Sequence, residues 1–223
     1  MSGELRKRII TSIVLFMIAI LLISINETIF AIGIFAIISI SFLEWNKINY
    51  KYFSKRKKKD KFIYIRIAGA VYLFIFFISC MDIRMEYGKF FFIFILCICV
   101  SSDIGGYVFG KTIGGKKLIK ISPNKTISGS IGSFAFSMIP LFLLNFKNQV
   151  DLVFNFSLKY IFFCLAISLS CQIGDLIISY FKRLNKVKNT GNILPGHGGL
   201  LDRVDGIIFA IPTVFILLKM QIF

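Results

Sequence analysis

The sequence predicts an all-α polytopic membrane protein of about seven transmembrane helices, because a helix needs roughly 20 apolar residues to cross a bilayer. Three observations carry this. Of 223 residues, 57% are hydrophobic and 26 are Phe, which soluble domains rarely reach. Apolar runs recur along the whole length, leaving no room for a separate soluble domain. The charge is not spread evenly: all of the 27 Lys and Arg except Arg84, Lys89, Lys147, Lys159 and Lys219 fall on alternate inter-run segments.

The runs are Ile9–Ile25, Ile29–Leu43, Ile65–Cys80, Phe90–Tyr107, Gly129–Phe146, Leu158–Phe181 and Gly206–Phe223. The first follows Arg6-Lys7-Arg8 but no small-residue cleavage site follows it, so it reads as a retained helix. Only Asn26-Glu27-Thr28 separates it from the second, a tight helical hairpin. The third is short and extends back through Arg66 if that head group snorkels. Gly129–Ser137 in the fifth is rich in glycine and serine, which lets helices approach closely. Cationic segments stay cytoplasmic, so the N-terminus is expected inside and the C-terminus outside, with all three long polar loops on the cytoplasmic face. The net charge of +16 then gathers on one side. The run around residues 54–61 fits anionic lipid headgroups or a topology signal better than nucleic acid, which is not an expected partner. The chain reads as one integral membrane domain over 1–223, with N-terminal helices and a basic loop over 1–89 and a catalytic half over 90–223.

Cys80, Cys97, Cys99, Cys164 and Cys171 all lie in apolar runs without metal-ligand spacing and read as small buried hydrophobes. No tandem repeat is visible.

Three constellations carry chemistry. The first runs from Asp103 to Thr126. Glycines at 105, 106, 110, 114 and 115 let backbone approach a ligand, and Lys111, Lys116, Lys117 and Lys125 offer positive charge for phosphates. Ser122-Pro-Asn-Lys-Thr126 leads into the fifth run, where hydroxyls and amides at a helix start can hold an anion. Taken alone, this segment is also what a positive loop with turn glycines looks like. The second is Asp175, a carboxylate within the sixth run, costly unless it works or pairs with a cation. The third is Ser179 to Asp205. Ser179, Lys182 and Arg183 leave the sixth run at helical spacing, Lys186 and Lys188 follow, and Pro195-Gly-His-Gly-Gly199 forms a turn. Asp202 and Asp205 share one helical face. With Asp175 they make three hard-oxygen ligands beside phosphate-binding cations, which suits Mg²⁺ rather than zinc. His197, flanked by glycines, is placed to bind a phosphate or to act as an acid or base.

The segment Ser179 to Asp205 resembles the signature of the bacterial phosphatidate cytidylyltransferases, or CDP-diglyceride synthases. Asp103…Tyr107…Gly110-Lys111, Ser122-Pro-x-Lys-Thr126 and Glu44-Trp45 are similar to that family too, and in its order. Two positions depart: Asn189 stands where the family has aspartate, and Ser128 where an acidic residue is common. About two N-terminal spans of the usual family members have no counterpart, which reads as peripheral trimming. The resemblance implies transfer of the cytidylyl group of CTP to phosphatidate, giving CDP-diacylglycerol and pyrophosphate for phospholipid synthesis. It implies a bacterial inner-membrane location with the site facing the cytoplasm. The expected catalytic residues are Asp175, Lys182, Arg183, Lys188, His197, Asp202, Arg203 and Asp205. The expected substrate-binding residues are Asp103, Tyr107, Lys111, Ser122, Lys125, Thr126, Ser179, Gly196, Gly198 and Gly199. Asp175 and Asp202, with Asp205 close by, are expected to hold Mg²⁺, and the family implies a second cation. Partners are CTP, phosphatidate and membrane lipids, and a homodimer is compatible. The alternatives are a CTP-dependent polyprenol or lipid kinase, a catalytically dead relative, and, outside the enzymes, a membrane transporter. A transporter would place its charges at mid-membrane in repeated halves, which this chain does not do.

Overall fold

The computed structural model describes residues 3–55, 59–119, 122–147, 157–194 and 198–221. These form α1 (Gly3–Ser24), α2 (Glu27–Lys55), α3 (Lys59–Glu86), α4 (Gly88–Thr112), β1 (Lys117–Ile119), β2 (Ser122–Thr126), α5 (Ile127–Ser137), α6 (Ile139–Lys147), α7 (Leu158–Leu184) and α8 (Leu201–Lys219). Five stretches are long and apolar enough to cross a membrane: Glu27–Tyr50, Lys59–Glu86, Gly88–Thr112, Ile127–Leu144 and Leu158–Leu184. Large apolar side chains point outward along them, among them Phe35, Phe74 and Phe90, each more than 60% exposed. That suits hydrocarbon as the surrounding solvent, so the chain is a helical membrane protein.

Seven spans were expected, and two of the runs do not meet that standard among the described residues. The described apolar part of the first helix is only Val14–Ser24. The last, α8, opens on Asp202, Arg203 and Asp205, so its apolar part is short. The fifth run is two helices. Pro140 has no N–H to return to the turn before it, and the helix parts at Met138, whose own N–H turns to the Ala135 carbonyl at 3.4 Å and toward that of Phe136. The third run does extend back through Arg66, whose guanidinium lies 6.0 Å from the centre of the Phe42 ring. The all-α expectation also omitted a hairpin: β1 and β2 pair antiparallel, with Lys117 opposite Thr126 and Ile119 opposite Ser122.

The chain divides into two compact units. One comprises residues 1–89 with 178–205, and the other 90–177 with 206–223. The expected catalytic half, 90–223, therefore contributes to both. In the first unit α2 packs along α3, around Phe30, Cys80 and Ile83, all with no exposed surface. Buried Arg84 donates from Nε and Nη2 to the Ile23 carbonyl at 3.1 and 2.9 Å, which satisfies a carbonyl at the open end of α1. In the second unit the core is Ile95, Ile98, Leu141, Ile167, Ile211 and Val214, all fully buried. Polar links hold its helices together, as Ser102 to Ser168 at 2.7 Å and Ser170 to Thr213 at 2.9 Å. Cys80, Cys99, Cys164 and Cys171 are buried as expected, while Cys97 faces outward.

Candidate active site

The second unit holds a polar cavity of about 240 Å³. Five elements build it, β1 giving only Leu118. From α4 come Asp103, Gly106 and Tyr107; from β2 and α5 come Lys125, Thr126, Gly129, Ser130 and Ser133; from α7 come Gln172 and Asp175. Close approach of α4 to α5 makes this arrangement possible. A Cβ on Gly132 would meet the Phe109 ring and come within 2.7 Å of the Gly105 carbonyl oxygen; one on Gly106 would lie 2.5 Å from the Ser133 hydroxyl. The glycines read from the sequence as ligand-approach positions serve here as helix-approach positions.

Lys125 is ion-paired with Asp175 in this cavity, with both side chains part-exposed. The cost of a carboxylate within a membrane helix is offset by that ammonium. Thr126, expected to bind substrate, has its hydroxyl occupied as the N-cap of α5, accepting from Gly129 N at 3.1 Å. Ser128 donates to the Gly114 carbonyl, and Gly114 and Gly115 take φ of +62° and +102° to turn the chain before β1. Gln172, which the sequence reading passed over, accepts from Ser130 at 2.5 Å and donates to Ser168 at 3.3 Å. Tyr107 is 68% exposed, and the Lys111 ammonium lies 5.7 Å from its ring centre. Ser122 begins β2.

The first unit holds the other polar cluster. Lys182, on the last turn of α7, donates to Asp202 Oδ1 at 2.7 Å. Asp202 Oδ2 accepts from Thr190 N at 2.7 Å and from Gly199 N at 3.2 Å. The carboxylate therefore draws Thr190, Gly199 and the end of α7 onto the start of α8. Asp205 is buried one turn on. Arg183, Lys188 and Arg203 are exposed, and Ser179 is half-buried. Gly198 has a φ of +91°, and a Cβ there would come within 2.8 Å of the Asn189 side chain. His197 and Gly196 lie outside the described residues.

Glu44, on α2, is the main residue of this cluster missing from the expected site. It is 4% exposed and carries three hydrogen bonds from the 190–201 region. The only signal in the sequence was its place in the Glu44-Trp45 pair. Of the carboxylates expected to hold a metal, Asp175 belongs to the second unit and Asp202 and Asp205 to the first. Among the described residues no three Asp, Glu, His or Cys side chains gather closely enough to form a metal cluster.

A model of the cytidylyltransferase family matches residues 50–221. The chain belongs to that family. The match takes in every cavity residue and the whole of the Lys182–Asp202 cluster except Glu44. Curated relatives named phosphatidate cytidylyltransferase include one from Bacillus subtilis, 36% identical over 165 residues, which are 72% of this chain and 60% of the relative. One from Staphylococcus aureus (strain COL) is 41% identical over 167 residues, 72% of this chain and 62% of its own. One from Rickettsia bellii is 45% identical over 131 residues, 53% of each. The matched segment thus spans between half and two thirds of the length of these relatives.

Proposed function

We propose that this protein transfers the cytidylyl group of CTP to phosphatidate, releasing pyrophosphate and forming CDP-diacylglycerol. The observation that carries the reading is the Lys125–Asp175 pair in a polar cavity, inside a chain of the cytidylyltransferase family whose relatives bear that activity as their name. In the reaction an oxygen of the lipid phosphate forms a bond to the α-phosphorus of CTP. The bond from that phosphorus to the bridging oxygen breaks, and pyrophosphate leaves with the electron pair. The lipid phosphate is anionic at neutral pH, so no side-chain nucleophile is required. Catalysis then consists of bringing two anions together and neutralising them.

Lys125, beside the capped start of α5, is suited to a phosphate within the cavity. Lys182, Arg183, Lys188 and Arg203 offer cations around Asp202, of which Arg183, Lys188 and Arg203 are exposed to an incoming anion. Mg²⁺ fits the cavity's donors, which are hard oxygens from Asp103, Asp175, Ser130 and Gln172, with an ammonium already drawn to Asp175. Asp175 would hold it there. Asp202 and Asp205 remain in the proposed metal set, although both oxygens of Asp202 now accept hydrogen bonds from the protein. When bound, the ion would neutralise CTP phosphate oxygens and the departing pyrophosphate. We place the site at the cytoplasmic face because the basic segments flank these residues.

The test is to incubate purified protein in lipid vesicles with CTP, phosphatidate and Mg²⁺ and to identify products. CDP-diacylglycerol with stoichiometric pyrophosphate is expected. Release of CDP from CTP with phosphorylation of an alcohol acceptor would replace this reading with a lipid kinase, and no nucleotide turnover would remove it.

A further inference from the structure

Glu44 lies on α2, outside the matched family region and outside every group assigned above to substrate or metal. It is nonetheless buried, with 4% of its surface exposed, and a buried carboxylate must be satisfied by hydrogen bonds. Its partners all come from one distant stretch. Oε2 accepts from the Thr190 hydroxyl at 2.8 Å and from Leu201 N at 2.9 Å, and Oε1 accepts from Leu200 N at 3.1 Å. Leu201 N is the first amide of α8 and Leu200 N stands immediately before it, at the open N–H groups that every helix start must satisfy. Glu44 thus caps α8 from more than 150 residues away in sequence. Opposite charge at the positive end of the helix adds to the bond energies.

Two glycines exist in this geometry because of Glu44. A Cβ on Gly191 would collide with its Oε1, and the three atoms nearest to it all belong to the Glu44 side chain. A Cβ on Gly199 would collide with Oε2 and with the Thr190 hydroxyl. The adjoining residue, Trp45, fixes the other side of the cluster. Its ring packs edge-on against Phe181 at 4.6 Å, one residue before Lys182, and its Nε1 donates to the Ile65 carbonyl at 3.2 Å. Residues 44 and 45 therefore hold both arms of the Lys182–Asp202 pair, α7 by its last turn and α8 by its first.

We propose that Glu44 is the positioning residue of this site: a fixed anion that touches no reacting atom, clamps Thr190, Leu200 and Leu201 to α2 and so sets the register of Asp202 against Lys182. The proposal rests on the cytidylyltransferase reading only for its kinetic consequence; the clamp itself is testable without turnover.

The experiment uses the full chain in nanodiscs. Glu44→Gln keeps shape but must turn an N–H toward an N–H donor, whichever way the amide faces. Hydrogen exchange at Leu200 and Leu201 should quicken about 10-fold or more, as loss of one buried charge-assisted bond implies, while exchange in the middle of α7 stays as in the parent. Turnover should fall about 100-fold, the order expected from a misplaced catalytic group, with KM for both substrates within about threefold of the parent. The decisive arm is Gly191→Ala, made with and without Glu44→Ala. It should impair the parent chain and add much less once Glu44 is truncated, because the atoms nearest the added methyl are all Glu44's. Equal harm in both backgrounds, or unchanged exchange in Glu44→Gln, overturns the clamp. If Glu44→Gln does not fold, Thr190→Val removes a single bond to the same carboxylate and must still quicken exchange at Leu201. A parent chain without cytidylyl transfer would defeat the functional reading and leave the exchange and glycine arms to decide the clamp.

Discussion

Lys182 and Asp202 stand 2.7 Å apart with their side chains only 13% and 8% exposed. Asp202 also accepts two backbone N–H groups, so its charge is fully engaged. Removing either partner strands the other in a place poor in water. Lys182→Met and Asp202→Asn are each expected to lower the melting temperature in detergent. Their combination should be milder than the sum by about 0.5–3 kcal/mol, the coupling typical of contacting charged residues. Asp202→Ala should in addition abolish cytidylyl transfer while the chain still inserts into membranes. Near-parent turnover in that variant would take Asp202 out of the site.

The Lys125–Asp175 pair gives a prediction with an opposite sign for two quantities. The ammonium is paired with the carboxylate proposed to hold a divalent cation, so the two would compete for Asp175. Lys125→Met should therefore lower the half-saturating Mg²⁺ concentration, since a competitor is gone. Its maximal rate should fall about tenfold or more through loss of one charge-assisted phosphate contact. Asp175→Ala should abolish turnover at any Mg²⁺ concentration. A magnesium titration of the three proteins checks this, and a Lys125 variant needing more Mg²⁺ would contradict it.

Much of this arrangement was legible in the sequence, and the exceptions have physical causes. Long apolar runs announce spans because hydrocarbon tolerates little else, and the helices around Phe30, Ile95 and Ile167 follow those runs. The break at Met138 was missed because hydropathy is continuous through it, although Pro140 removes one backbone donor there. The β1–β2 hairpin was read as loop, since strands of three and five residues carry too little alternation to register. Asp175, Lys182 and Asp202 stood out as charges beside apolar runs. Glu44 did not, because its partners are mostly backbone amides, which a sequence does not display. Gly199 was assigned to substrate for the same reason: the collision it avoids is with a carboxylate on another helix.

Asn189 replaces the aspartate of the family pattern, yet it is exposed and its side chain lies against Gly198. Asn189→Asp should fold as the parent does and keep cytidylyl transfer within about threefold, as exposed substitutions usually do. Gly198→Ala should behave differently, because its φ of +91° excludes an L side chain and the added methyl would press on Asn189. Thermal melting and turnover of the two variants, measured side by side, separate them. Loss of all activity in Asn189→Asp would mean that the amide itself is part of the site.

The approach of α4 to α5 is the tightest demand in the second unit and the last to be tested. A Cβ on Gly105 would collide with the Gly132 carbonyl and lie 2.5 Å from Phe136 Cβ; neither backbone nor Cβ can swing aside as a flexible side chain would. The two helices must part instead, and the cavity wall formed by Gly106, Gly129 and Ser133 moves with them. Gly105→Ala and Gly132→Ala are each expected to destabilise by about 1–3 kcal/mol, the usual range for overpacking. Turnover should fall with them, because Lys125 and Asp175 line the same cavity as that wall. Gly88→Ala is the control for stability alone: nothing lies within 4 Å of its Cβ position, so its cost comes only from a φ of +79° at the start of α4. If Gly105→Ala melts as the parent does, helix approach is not what these glycines supply, and the ligand-approach role first read from the sequence is restored.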